Sequence, residues 1–215
     1  MTIRILLVDD HSVVRQGLRL FLKYEPELEV VGEAADGAEA LRLARELKPD
    51  VVLMDVKMPG IGGLEATRKL MRSHPDMKVV AVTVCEEDPF PTRLLQAGAA
   101  GYMTKGAGLA EMVQAIRLVF AGQRYISPQI AQQLALKSFQ PQTSQSPFDL
   151  LSEREIQIAL MIVGCHKVQS ISDKLCLSPK TVNTYRYRIF EKLSISSDVE
   201  LALLAVRHGM VDASL

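Results

Sequence analysis

The run Val51-Val52-Leu53-Met54-Asp55 leaves this chain few ways to fold. Four consecutive apolar residues, two of them β-branched, suit a strand covered on both faces, as in a parallel α/β sheet. Asp55 falls at the carboxyl end of that strand, and Lys57-Met58-Pro59-Gly60 breaks the chain into a loop. A second apolar strand, Ile3 to Val8, ends the same way in Asp9-Asp10. Ligand sites in open α/β sheets lie outside the carboxyl ends of the strands. Three carboxylates are therefore predicted to converge on one crevice. They repel one another unless a hard cation such as Mg²⁺ sits among them.

Two further strand ends complete the pattern. Lys78-Val79-Val80-Ala81-Val82 ends in Thr83, and Ala99-Ala100-Gly101-Tyr102-Met103 ends in Thr104-Lys105. A phosphoryl group on Asp55 needs a metal for its charge, a hydroxyl donor and a cationic point charge, which these ends supply. Strand-then-helix repeats run through residues 3–121, with helices expected near 12–24, 37–47, 62–73, 88–98 and 109–121. The predicted fold is a doubly wound, parallel, five-stranded α/β sheet of the flavodoxin-like order 2-1-3-4-5. This arrangement resembles the receiver domain of bacterial response regulators. The resemblance implies that Asp55 is the phospho-acceptor, and that Asp9, Asp10, Asp55 and the backbone carbonyl of Lys57 hold Mg²⁺. It makes Thr83 and Tyr102 a switch pair, with Tyr102 turning inward on phosphorylation, and Lys105 the phosphoryl contact. The chain departs from the pattern at Gly106, where many receivers carry Pro.

After residue 121 the organisation changes. Ser127-Pro128 is expected to start a short helix to about Lys137, and the proline-punctuated stretch from Gln140 to Pro147 reads as a linker. Residues 151–212 lack strand-like alternation and read as four helices. Ser152 with Glu155 forms a capping box at the first, and Ser178-Pro179 caps the third. Val182, Tyr185 or Arg186, Ile189 and Leu193 mark that helix's buried stripe. From Lys174 to Lys192 there are five cations and one anion, a basic face on a chain of zero net charge. A helix-turn-helix or a protein-binding helical bundle fits this pattern. The segments Leu151–Glu155, Ile171-Ser172 and Leu177–Tyr185 are similar to the LuxR-type DNA-binding domain. That similarity makes Lys180, Thr181, Asn183, Thr184, Tyr187, Arg188 and Lys192 the expected DNA contacts. The domains expected are a receiver over 1–121, a linker with a short helix over 122–147, and an all-α four-helix domain over 148–215.

Receiver, linker and LuxR-type domain in this order resemble the NarL/FixJ class of response regulators. The stretches 55–64, 82–88 and 123–128 resemble the GacA/UvrY-type global regulators within it. The resemblance implies phosphorylation by a sensor histidine kinase, homodimeric binding to double-stranded DNA, and activation of small regulatory RNA genes. No membrane partner or small-molecule substrate is expected. The rival reading is a phosphatase using Asp55 or Asp9 as nucleophile. Haloacid-dehalogenase-like phosphatases place nucleophile and acid two residues apart on one strand, whereas Asp9 and Asp10 are adjacent and Asp55 lies on another. An odd count of three cysteines, no run of about 20 apolar residues and no leader-like start point to a reducing cytoplasm.

Overall fold

A computed structural model describes residues 2–83, 90–139, 147–208 and 210. These residues divide into two compact units, one within 2–139 and one within 147–210.

The first unit alternates strands and helices: β1 Ile3–Val8, α1 Ser12–Leu22, β2 Leu28–Ala34, α2 Gly37–Leu47, β3 Val51–Met54, α3 Gly63–Ser73, β4 Lys78–Thr83, α4 Phe90–Gln96, β5 Gly101–Thr104, α5 Leu109–Phe120, β6 Tyr125–Ile126 and α6 Pro128–Phe139. All strand pairs are parallel, in the order β2-β1-β3-β4-β5-β6. Successive side chains of a strand point to opposite faces. Ile5, Leu7, Leu53, Val80 and Val82 accordingly pack with Leu22 of α1 and Met112 and Ile116 of α5. Leu6, Val8, Val52, Met54 and Val79 pack on the other side with Ala40 and Ala44 of α2 and Ala66 and Leu70 of α3. The all-apolar β3 is buried throughout because it lies between β1 and β4 with helices above and below. The predicted order 2-1-3-4-5 is present, with one strand more than expected.

That sixth strand changes the receiver's extent. Tyr125 and Ile126 pair with Gly101 and Tyr102, and the Ser127 amide donates to the Tyr102 carbonyl at 3.0 Å. The helix that follows is not linker: Ile130 is fully buried beside Leu94, Ala99 and Tyr102, with Leu134 against the same cluster. Burying one such aliphatic side chain contributes about 1.5–3 kcal/mol toward holding the helix on the sheet. The expected linker over 122–147 therefore loses its first part to the receiver unit. Residues 140–146 of that linker, and 88–89 of the expected fourth helix, lie outside the described residues.

The second unit opens with a 3-10 turn, Pro147–Leu150, whose Phe148 is buried edge-on to His208. The four expected helices follow as α7 Glu153–Val163, α8 Val168–Leu175, α9 Pro179–Leu193 and α10 Asp198–Arg207. The capping box at Ser152 and Glu155 is formed in full. Ile156, Ile158, Ile171, Leu175, Val182, Ile189 and Leu201 make the core. Among the described residues no helix is long and apolar enough to cross a membrane.

Candidate functional site

The carboxyl ends of β1, β3, β4 and β5 deliver the predicted groups to one end of the sheet. Asp9 and Asp55 are buried, at 4% and 3% exposure, whereas Asp10 is exposed. The Asp55 amide donates to the Val8 carbonyl at 2.8 Å, which fixes the end of β3 against β1. Lys105 sends its ammonium between the two buried carboxylates, 2.5 Å from Asp9 Oδ2 and 2.8 Å from Asp55 Oδ2. Gly106 does not prevent that reach. The other oxygen of Asp55, Oδ1, accepts from the amides of Val56 at 2.7 Å and Lys57 at 3.3 Å.

One ammonium thus serves two carboxylates, and the electrostatics follow. Burial holds the Asp55 carboxyl above its ordinary value and the Asp9 charge adds to that, against the pull of Lys105. Burial alone would lower Lys105, but its hydrogen bonds to Asp55 and Asp9 outweigh it and hold the amine charged. The pocket keeps a surplus of negative charge on oxygen donors. Donor atoms from Asp9, Asp10, His11 and Asp55 all lie within 4.8 Å of one another. That oxygen-rich set fits a hard divalent cation.

Thr83 is fully buried at the end of β4, in register with Thr104, and its carbonyl accepts from the Lys105 amide at 2.8 Å. Tyr102, the other member of the expected switch pair, is fully buried, because β6 and α6 cover it with Ile126, Ile130 and Leu134. Lys57 has an exposed side chain, and its amide faces Asp55 Oδ1. His11, adjacent to the acid pair in sequence, lies against it. Two supports escaped the sequence reading: Arg15 donates to the Asp9 carbonyl at 2.5 Å, and Gly63 lets α3 approach the Asp55 backbone. The first follows no motif. The second was signalled by Gly62-Gly63 at the start of the helix.

In the second unit, α8 ends at Cys176, whose left-handed backbone (φ 52°) turns the chain. The buried Ser172 hydroxyl ties the turn by donating to the Leu177 carbonyl at 2.6 Å. Ser178 then caps α9 by accepting from the Thr181 amide at 3.0 Å, with Pro179 at the first helical position. Val182, Ile189 and Leu193 are buried as predicted, and Tyr185 and Arg186 only half so. Lys180, Thr184, Tyr187 and Arg188 are exposed, and Thr181 and Asn183 are half-buried. Lys192, expected on the DNA face, has its ammonium 2.6 Å from the buried Glu155 carboxylate, where it compensates the capping box of α7. Arg186 is likewise engaged, by paired hydrogen bonds to Asp198 at 2.8 and 2.6 Å and by stacking 5.4 Å from the Phe190 ring. On α10, Val199, Leu203 and Val206 form an exposed stripe at 69%, 56% and 41% exposure.

Comparison with known proteins meets this geometry at both units. Residues 5–117 match the response regulator receiver domain, and residues 149–205 match the bacterial regulatory proteins of the luxR family. The chain is 86% identical over 212 residues to the response regulator GacA of Pseudomonas viridiflava, covering 99% of each chain. It is 56% identical to the response regulator UvrY of Escherichia coli (strain K12), covering 98% of this chain and 97% of that one. Among solved structures, a LuxR-family two-component response regulator from Aurantimonas sp. SI85-9A1 is similar at 45% identity and a TM-score of 0.62. That match covers 64% of this chain and 99% of the other. These relatives are regulators rather than phosphatases. The chain belongs to the two-component response regulators that join a receiver domain to a LuxR-type, helix-turn-helix DNA-binding domain.

Proposed function

We propose that this protein is a cytoplasmic global transcription regulator switched by a phosphoryl group on Asp55. The observation that carries the reading is the Asp55 carboxylate, buried at a strand end and held by Lys105 beside Asp9. A carboxylate oxygen of Asp55 bonds to phosphorus as the phosphorus–nitrogen bond of a sensor kinase's phosphohistidine breaks. Lys105, already charged and shared by two carboxylates, can follow the new charge of roughly −1.5 to −2. Thr83, at the adjoining strand end, would donate its hydroxyl to a phosphoryl oxygen. Asp9, Asp10, Asp55 and the Lys57 carbonyl would hold Mg²⁺, which neutralises the charge developed on the transferring oxygens.

The readout is DNA binding by α9. Lys180, Thr181, Asn183, Thr184, Tyr187 and Arg188 offer an outward polar face for a major groove. The exposed stripe on α10 supports a homodimer on DNA. Leu203 lies near the middle of the helix, with Val199 and Val206 on either side, so a two-fold axis there pairs the stripe with itself. Small regulatory RNA genes are the targets that the resemblance to the GacA/UvrY-type global regulators implies.

Incubation with acetyl phosphate and Mg²⁺ should label the wild type and leave Asp55→Ala unlabelled. Footprinting on genomic DNA should then show protection that strengthens on labelling. Full labelling of Asp55→Ala would sink the assignment of the acceptor. Protection indifferent to labelling would sink the switch.

A further inference from the structure

Three consecutive residues bring three donor atoms together in the acidic pocket. His11 Nδ1 lies 3.2 Å from Asp9 Oδ1 and 2.8 Å from Asp10 Oδ1. Lys105 contacts Oδ2 of Asp9 and of Asp55, whereas the imidazole contacts Oδ1 of Asp9 and of Asp10. With Asp55 included, the donor atoms still lie within 4.8 Å of one another. The ring is held by its hydrogen bond with Asp9 Oδ1, an oxygen that also accepts from the His11 amide at 2.8 Å. Packing and capping add nothing to that: His11 is the N-cap residue of α1, yet its side chain makes no capping hydrogen bond, and it is 67% exposed. A solvated imidazole is thus kept on two carboxylates.

The spacing is that of a coordination edge. Around a small divalent ion with bonds of about 2.1 Å, neighbouring octahedral donors stand about 3 Å apart. The observed 2.8 and 3.2 Å bracket that value. The donor chemistry adds a preference. Carboxylate and carbonyl oxygens suit Mg²⁺, whereas an imidazole nitrogen suits first-row transition ions and adds little for Mg²⁺. We infer that His11 is a ligand of the divalent-cation site, so that the pocket binds transition ions such as Mn²⁺ and Co²⁺ through its imidazole as well as through the carboxylates. This rests on the reading of Asp9, Asp10 and Asp55 as the Mg²⁺ site.

The test compares cations as well as variants, because any mixed nitrogen and oxygen site already favours Co²⁺ over Mg²⁺. The untagged full-length wild type, His11→Ala and His11→Gln are titrated separately with MgCl₂ and CoCl₂ by calorimetry, after thermal melts show that each variant is folded. His11→Ala should weaken Co²⁺ binding about ten-fold or more while Mg²⁺ binding stays within about two-fold. The Mn²⁺-loaded wild type should show imidazole ¹⁴N modulation in its electron spin echo, and both variants should lose it. Equal weakening for Mg²⁺ and Co²⁺ would mean that His11 only orients the carboxylates through a hydrogen bond, and would overturn the inference. So would a wild type that binds Mg²⁺ normally but shows no nitrogen coupling, which leaves the Mg²⁺ reading standing. A wild type that binds no Mg²⁺ removes both.

Discussion

Around Asp55 the tightest restraint is a residue with no side chain. A Cβ on Gly63 would stand 2.0 Å from the Asp55 carbonyl oxygen and 2.8 Å from the Val56 Cα. Both are backbone atoms, held by the Asp55–Val8 hydrogen bond and by the Gly63 amide donating to the Val56 carbonyl. No rotamer change can relieve such a contact. Gly63→Ala should destabilise the receiver by ~1–3 kcal/mol, the range for overpacking, and should slow labelling by acetyl phosphate because the acceptor strand must shift. A thermal melt and a labelling time course check this. Gly60→Ala gives the contrast, since a Cβ there meets nothing within 4 Å and only its positive φ of 67° is strained. At this scale Asp9, Asp10, Asp55, Thr83 and Lys105 were legible because each ends an apolar run, and strand ends converge in a parallel sheet. The pair between Lys192 and Glu155 was not legible, for the opposite reason. On a helix surface a lysine reads as solvated or phosphate-facing, and nothing local announces that Glu155, 37 residues away, is buried beneath it.

The elements that sequence reading missed are those held by neighbours rather than by their own pattern. β6 is two residues long, too short for any periodicity, and exists because Gly101 lets Tyr125 come close: a Cβ on Gly101 would stand 3.2 Å from the Tyr125 carbonyl oxygen. α6 was expected as a helix, but its docking depends on Ile130 finding the cavity beside Tyr102. Ile130→Ala should therefore cost ~2–5 kcal/mol and speed hydrogen exchange at the Tyr102 and Ser127 amides more than at β1. Uniform exchange across the sheet would mean α6 is not what closes over Tyr102. In the second unit, the pair between Lys192 and Glu155 joins α9 to the start of α7. Burial would raise Glu155, but Lys192 and the Ser152 cap outweigh it and hold its carboxyl below the ordinary 4.5. A depressed acid contributes stability above its unfolded value, and that stability is lost as pH falls through the folded one. Thermal melts of the wild type should thus fall from about pH 5 downward, and Glu155→Gln should show a flatter acid limb over the same window.

Over the whole molecule, charge decides how the protein can find DNA. The chain has zero formal net charge, so attraction to a polyanion must come from a local face. α9 carries Lys180, Arg186, Arg188 and Lys192, but the last of these is tied to Glu155 and Arg186 is tied to Asp198. Lys180 and Arg188 remain exposed on the outer side. Each cation that displaces counterions from a phosphate contributes about one unit to the slope of log K against log salt. Lys180→Ala and Arg188→Ala should each flatten that slope by about one unit and weaken specific and random DNA alike. Lys192→Ala should leave the slope unchanged while lowering the melting temperature, because its charge compensates a buried carboxylate rather than a phosphate. Asn183→Ala should instead relax preference at one base step, costing ~1–3 kcal/mol on the specific site and little on random sequence. The discriminating measurement is the salt titration of Lys192→Ala beside Arg188→Ala. Equal slopes in the two variants would show that the Glu155 pair opens on DNA and that Lys192 reaches the backbone after all.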